Sequence, residues 1–274
     1  MKKNLRLSLD LNDDAFSTCL KVYCTRFWHN WLIEVNLLII SVYILFMVVP
    51  NIVDASGRSK FHNSPRLPEP MVFDLVLPLG AKKNEFELNT LFQYDSEHKA
   101  ALINPEFEYA YTDGYGIEFE LPTENLSVDA YKLALQGTFN FLNTNKFIHG
   151  WQYYGEYHRH NKELENNLLY IAGYQFNEKW DTLNMVGIRF TDVQSEGHVE
   201  ELVNSSLFYS YSSNLIMGLE VNWESRPNRP DITLVMPQLH VQVAKHAKIQ
   251  AGFGMKQVGR ETFPHVATRI IFGF

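Results

Sequence analysis

From residue 85 onward, bulky apolar and polar side chains alternate with a period of two. Residues 85–95 show it most clearly: Phe86, Leu88, Thr90, Phe92 and Tyr94 fall on one side, Glu85, Glu87, Asn89, Gln93 and Asp95 on the other. Such alternation predicts a β-strand with one apolar and one polar face. It recurs over residues 103–112, 115–121 and 131–141, then near 148–160, 166–177, 182–191, 200–211, 215–224, 232–245, 247–258 and 264–274, for a total of about twelve strands. The strand at 215–224 is as clean as the first, whereas those near 166 and 182 alternate poorly and leave their phase open. No stretch after the first 55 residues carries a helical period.

The links between these strands alternate in length. Residues 113–114, 143–147, 178–181, 212–214 and 246–247 read as tight connections, and 96–101, 122–127, 161–165, 192–199, 225–231 and 259–263 as longer polar ones. Short turns at one rim and longer loops at the other, joining strands of roughly 10 residues, predict an all-β fold: an up-and-down antiparallel transmembrane β-barrel of about 12 strands. Rings near the strand ends, among them Tyr94, Tyr111, Tyr115, Trp151, Trp223 and Phe274, suit the aromatic girdles of such a barrel. The competing architecture is a soluble periplasmic β-barrel or sandwich, since alternation does not say which face meets water.

The chain ends on Phe274, with Phe272, Ile270, Thr268 and Val266 on the same side of the last strand. This resembles the closing strand of bacterial outer-membrane barrels, and the resemblance makes Phe272 and Phe274 an assembly signal read by the barrel assembly machinery. The other end is different in kind. Residues 37–49 form an uncharged apolar run too short to span a bilayer as a helix but long enough for a signal-peptide core, with Val53 and Ala55 at the −3 and −1 positions of a cleavage site. The expected organisation is a signal peptide or leader over 1–55, a Pro-rich periplasmic segment over 56–84 and the barrel over 85–274. Acidic residues within the leader leave its n-region untidy, and an uncleaved anchor over 31–49 is the alternative. Both cysteines, Cys19 and Cys24, lie in the leader, so the mature chain would have no disulfide, thiol nucleophile or Cys-based metal site. The formal net charge of −7 disfavours nucleic-acid binding.

If the apolar faces meet outer-membrane lipid, the polar faces line a lumen. Glu85, Glu87, Glu106, Glu108, Glu118 and Glu120 come from three consecutive strands and would form an acidic wall; Lys132, Lys248, Lys256 and Arg269 are the basic lumenal set. Such an arrangement acts either as a transverse field across a narrow pore or as ion pairs that stabilise a filled one. Glu156, His158 and His160 share one strand face at a spacing that can present imidazoles to a divalent metal, although a pair of His on one strand is more often solvated lining. His240 and His265 also read as inward. No catalytic constellation stands out; His62 and Ser64 are close in sequence but lie in the Pro-rich segment. No cofactor motif is present.

Residues 78–94 (PLGAKKNEFELNTLFQY) and 105–122 (PEFEYAYTDGYGIEFELP) resemble an outer-membrane family named after the meta-cleavage pathway of phenol degradation. Its members carry a Gly/Lys turn before an FEL-like strand, here 80–88, then a TD turn, here Thr112 and Asp113, into a strand closing on Leu-Pro, here Leu121 and Pro122. Gly114 departs from the basic or polar residue usual after TD. The resemblance implies transport of hydrophobic or aromatic small molecules. The reading that follows is a bacterial outer-membrane channel for passive transport of a small-molecule solute. A lipid-modifying outer-membrane enzyme and a structural or adhesion barrel with a sealed lumen are the alternatives. Residues 59–83 are the candidate to occupy the periplasmic mouth.

Overall fold

The computed structural model describes residues 61, 64–73, 75–191 and 197–274. The expected leader, its cleavage position, both cysteines and His62 lie outside the described residues.

One antiparallel sheet closes on itself. Its strands are β1 (Phe86–Asp95), β2 (Ala100–Thr112), β3 (Tyr115–Glu120), β4 (Thr123–Glu124), β5 (Ser127–Val128), β6 (Ala130–Thr138), β7 (Phe147–His158), β8 (Leu164–Gln175), β9 (Trp180–Thr191), β10 (His198–Ser212), β11 (Leu215–Ser225), β12 (Ile232–Ala244), β13 (Ala247–Val258) and β14 (Glu261–Gly273). β4 and β5 are a two-residue hairpin laid on the end of β2, which leaves twelve barrel strands, each paired with its chain neighbours. Closure comes from β1, which pairs with both β2 and β14, so the ring of twelve strands has no free edge strand. The terminal residue joins that seam: the Phe274 N–H donates to the Phe86 carbonyl at 2.8 Å.

The expected strands are all found, most within three residues of their sequence-based limits. β6 stops at Thr138 rather than 141, and Phe139 and Phe141 pack around the His149 ring, with centroids 4.9 and 5.0 Å away. The 259–263 link shortens to a turn at Gly259, whose positive φ of 59° a side chain would strain.

Side chains sort by strand parity as the alternation predicts. Leu88, Phe92, Phe107, Phe119, Leu133, Leu168, Val203, Leu219, Leu239, Phe253 and Phe272 are exposed on the outer face, the surface a barrel surrounded by lipid requires. Aromatic rings mark both ends of this band. Tyr111, Tyr174, Trp180, Tyr211 and Phe274 lie at the short-turn rim, and Tyr94, Tyr131, Tyr157 and Phe190 at the long-loop rim. Tyr115 and Trp151 flank Gly137 in register on the neighbouring strands and pack over the bare glycine, which is why Tyr115 is buried.

The inner face departs from the all-polar lumen expected. On β7 to β10 it presents Ile148, Ile171, Leu183, Met185 and Phe208, all buried. Both faces of β8 and β9 are therefore apolar over much of their length, and this is the physical reason their alternation was unclear. What covers these inward apolar groups is the chain's own N-terminal segment.

Candidate functional site: a plugged lumen and its charged vestibule

Of the described part of the Pro-rich segment, residues 61, 64–73 and 75–84, most side chains between Leu67 and Ala81 are buried inside the barrel, deeper than a position at its mouth, while Arg66, Lys82, Lys83 and Asn84 are exposed. Leu67, Leu75 and Leu79 join the apolar cluster on β7 to β10. Met71 packs with Leu91 of β1, Leu234 and Met236 of β12 and Ala267 of β14, while Leu77 and Ala81 meet Ala110 of β2. Gly116 on β3 and Gly252 on β13 have no side chain where Val76 and Met71 approach; an added Cβ would lie 3.0 and 2.5 Å from those side chains. A segment touching the wall on so many sides can only be a plug within the lumen.

Polar groups of the wall hold the plug's main chain. Proline and extended geometry leave its N–H groups without a strand ladder, and buried donors need acceptors. Glu220 on β11, fully buried, supplies one: its carboxylate accepts from the N–H groups of Met71, Val72 and Phe73 at 2.9, 3.1 and 2.8 Å. Side-chain amides from three strands donate to the same carboxylate, Asn204 at 3.2 Å, Asn222 at 2.9 Å and Gln238 at 3.3 Å. Further along, Thr138 accepts from the Gly80 N–H at 2.8 Å, and Gln136 donates to the Leu77 carbonyl at 2.5 Å.

The plug separates two openings. Towards the long-loop rim lies a vestibule of about 370 Å³, floored by Val72 and Phe73 and walled by Glu106, Glu120, Lys132, Glu156, Arg189, Lys256 and Arg269 among others. At the short-turn rim a cavity of about 320 Å³ is lined by Arg66, Glu85, Glu87, Lys248 and Phe274.

Register brings the expected acidic wall together: Glu87 faces Glu108, Glu108 faces Glu118, and Glu106 faces Glu120 across neighbouring strands, all five buried. Glu85 sits apart at the short-turn mouth, 3.0 Å from Arg66. Like charges directly opposite repel, and the basic residues sit among them rather than across an open pore. Lys132 bridges Glu118 at 3.0 Å and also Glu120, and Arg269, with no exposed surface, approaches Glu106 at 3.9 Å. Lys256 belongs to another group, holding Asp95 at 3.2 Å and Glu97 at 2.8 Å at the long-loop rim, while Lys248 lies at the opposite end of β13. Phe272 and Phe274 are exposed on the outer face beside the seam. His240 and His265 are inward and buried, bonded to Gln238 and Gln93 at 3.0 Å each.

Three groups were not singled out from sequence. Arg189 on β9 gathers Glu165, Glu200 and Glu224 at 3.5, 3.2 and 3.1 Å. Glu165 on β8 joins Glu156 and His158, while His160 lies past the strand end and is exposed. Glu220 falls on the polar face of the 215–224 strand; its partners from the plug are main-chain groups, which leave no mark in a side-chain pattern. The amides Asn204, Asn222 and Gln238 around it, on three adjacent strands, were the available signal.

This is the fold of outer-membrane β-barrel channels. The chain is similar to the NanC porin (11% identity, covering 68% of this chain and 98% of that one, TM-score 0.56). It is also similar to the KdgM porin in complex with disordered oligogalacturonate (12%, 69% and 99%, TM-score 0.52). An outer-membrane channel from Pseudomonas putida F1 is a third match (13%, 76% and 100%, TM-score 0.52). At such identities the likeness is one of fold. The chain itself belongs to the HAEPLYID-like family, whose model matches residues 66–273 and so takes in plug and barrel together. No curated protein matches it in sequence.

Proposed function

We propose that the protein is a bacterial outer-membrane channel for small solutes, held shut at rest by its own N-terminal segment. The observation that carries this reading is the Glu220 carboxylate receiving three consecutive main-chain N–H groups of the plug. The plug is held there by hydrogen bonds and side-chain packing rather than by a sheet ladder, so it can leave without opening the barrel. Its departure would uncover a lumen with two unlike sides. One is the ion-paired wall of β1 to β3, β6 and β14; the other is the apolar strip of Ile148, Ile171, Leu183, Met185 and Phe208. Such a lumen suits small hydrophobic or aromatic solutes that carry a polar group, in keeping with the resemblance to the phenol meta-pathway family. No chemical step is part of this reading.

Conductance in planar bilayers tests it. The intact chain should conduct weakly, and removal of residues 64–79 should raise single-channel conductance several-fold. A folded deletion variant as silent as the intact chain would instead favour a structural barrel with a sealed lumen. Liposome flux of phenol-like solutes against sugars of similar size then tests the solute class.

A further inference from the structure

Two groups of three His and acidic ligand atoms converge among the described residues, both near the long-loop rim, and they differ in what already satisfies them. In the first, Asp95, Glu97 and His98, the Lys256 ammonium bridges both carboxylates, and His98 Nδ1 is 2.9 Å from Asp95 Oδ2. That group is neutralised and internally hydrogen-bonded. A cation would have to displace Lys256.

The second is Glu156 and His158 on β7 with Glu165 on β8. Glu156 and Glu165 are directly opposite each other in the β7–β8 register, an unfavourable placement for two carboxylates. His158 Nε2 points between them, 3.8 Å from Glu156 Oε1 and 3.5 Å from Glu165 Oε1, and it is buried with no hydrogen-bond partner among the described residues. These separations are too long for good hydrogen bonds. They approach the spacing, on the order of 3.4 Å, of two ligands on one tetrahedral ion with bonds of about 2.1 Å. On its other side the ring faces Asp129, with Nδ1 3.6 Å from Oδ2, within ion-pair reach but longer than a hydrogen bond. A shortening of this contact would supply the carboxylate that commonly backs the second ring nitrogen of a ligating histidine.

Two cations lie nearby. Arg189 approaches Glu165 through the other oxygen, Oε2, at 3.5 Å and is shared with Glu200 and Glu224. Lys132, opposite Glu156 in register, bridges Glu118 and Glu120. The scaffold around the group is tied down: the His158 N–H donates to the Glu163 carbonyl at 2.9 Å, and the Arg159 N–H to the Asp129 carbonyl at 2.8 Å.

We propose that Glu156, His158 and Glu165, with Asp129 orienting the imidazole, bind a divalent transition-metal cation in the vestibule wall. One imidazole and two carboxylates suit Zn²⁺ or Co²⁺ better than Mg²⁺ or Ca²⁺, which take oxygen ligands alone. A bound ion would cancel the repulsion between the opposed glutamates. It would also pin the β7–β8 hairpin to the segment leading into β6. This inference stands apart from the transport reading, since it concerns binding of the metal alone.

The test is calorimetric titration of the full chain in detergent with Zn²⁺, each variant first being shown to fold by its heat-dependent gel mobility. One Zn²⁺ per chain should bind saturably. His158→Ala should weaken binding at least about 10-fold, and Glu165→Gln, which keeps the side-chain shape, should weaken it by a comparable factor. His98→Ala should leave it unchanged. A Co²⁺ visible absorption band lost in His158→Ala would report the same ligand directly. No saturable Zn²⁺ binding, or binding undiminished in His158→Ala, would overturn the proposal and leave His158 as an ion-pair partner of the three carboxylates.

Discussion

Individual residues carry sharp consequences because the lumen is filled. Gly150 on β7 is one: a Cβ there would lie 2.4 Å from the Gly137 carbonyl oxygen across the strand pair and 2.8 Å from Leu79 of the plug. A strand backbone cannot withdraw as a flexible side chain can, so Gly150→Ala should cost about 1–3 kcal/mol. The measurement is the temperature at which the folded gel form converts to the unfolded one; an unshifted midpoint would contradict the packing. Lys132 is another. Replacing it with Met leaves Glu118 and Glu120 buried without their shared cation, at a cost of about 3–5 kcal/mol. Adding Glu120→Gln should recover part of that loss, and the double-mutant cycle reads the coupling. Both glutamates and Lys132 were identified from sequence as lumenal. Their direct pairing was not, because it depends on the register of β3 against β2 and β6.

At the level of elements, the plug is the part that strand patterns could not place. Its prolines at 65, 68, 70 and 78 exclude it from a sheet interior, and its apolar residues are too irregularly spaced for a helix. Sequence thus indicated an unusual segment near the barrel mouth. Its position among inward residues from around the barrel needed the closed fold. The same contact explains β8 and β9, whose inward faces are apolar where the plug lies against them. Glu220→Ala would leave the Met71, Val72 and Phe73 N–H groups without their acceptor, each unsatisfied donor costing about 1–3 kcal/mol. The expected result is a barrel that still forms but whose residues 67–81 become cleavable by added protease. Continued protection of the segment in a folded Glu220→Ala variant would show that side-chain packing, not this carboxylate, holds the plug.

For the molecule as a whole, the outer apolar band and the closed seam predict a protein that needs detergent or lipid. It should run at a different gel position unheated than boiled. A water-soluble chain with no heat-dependent shift would remove the membrane reading and with it the channel. Strand number, and the division of most strands into an apolar and a polar face, could be read from the chain alone, because alternation is a local property imposed by the pleat on every second side chain; which face turns inward, and the phase of β8 and β9, needed the closed fold. The same locality made the alternating turn lengths and the acidic faces of the first three strands visible. Which charges pair, where the plug rests, and which carboxylate opposes Glu156 and His158 from the next strand depend on register and on contacts between residues far apart in sequence. These follow from register and ring closure, and a one-residue slip would have changed every one of them.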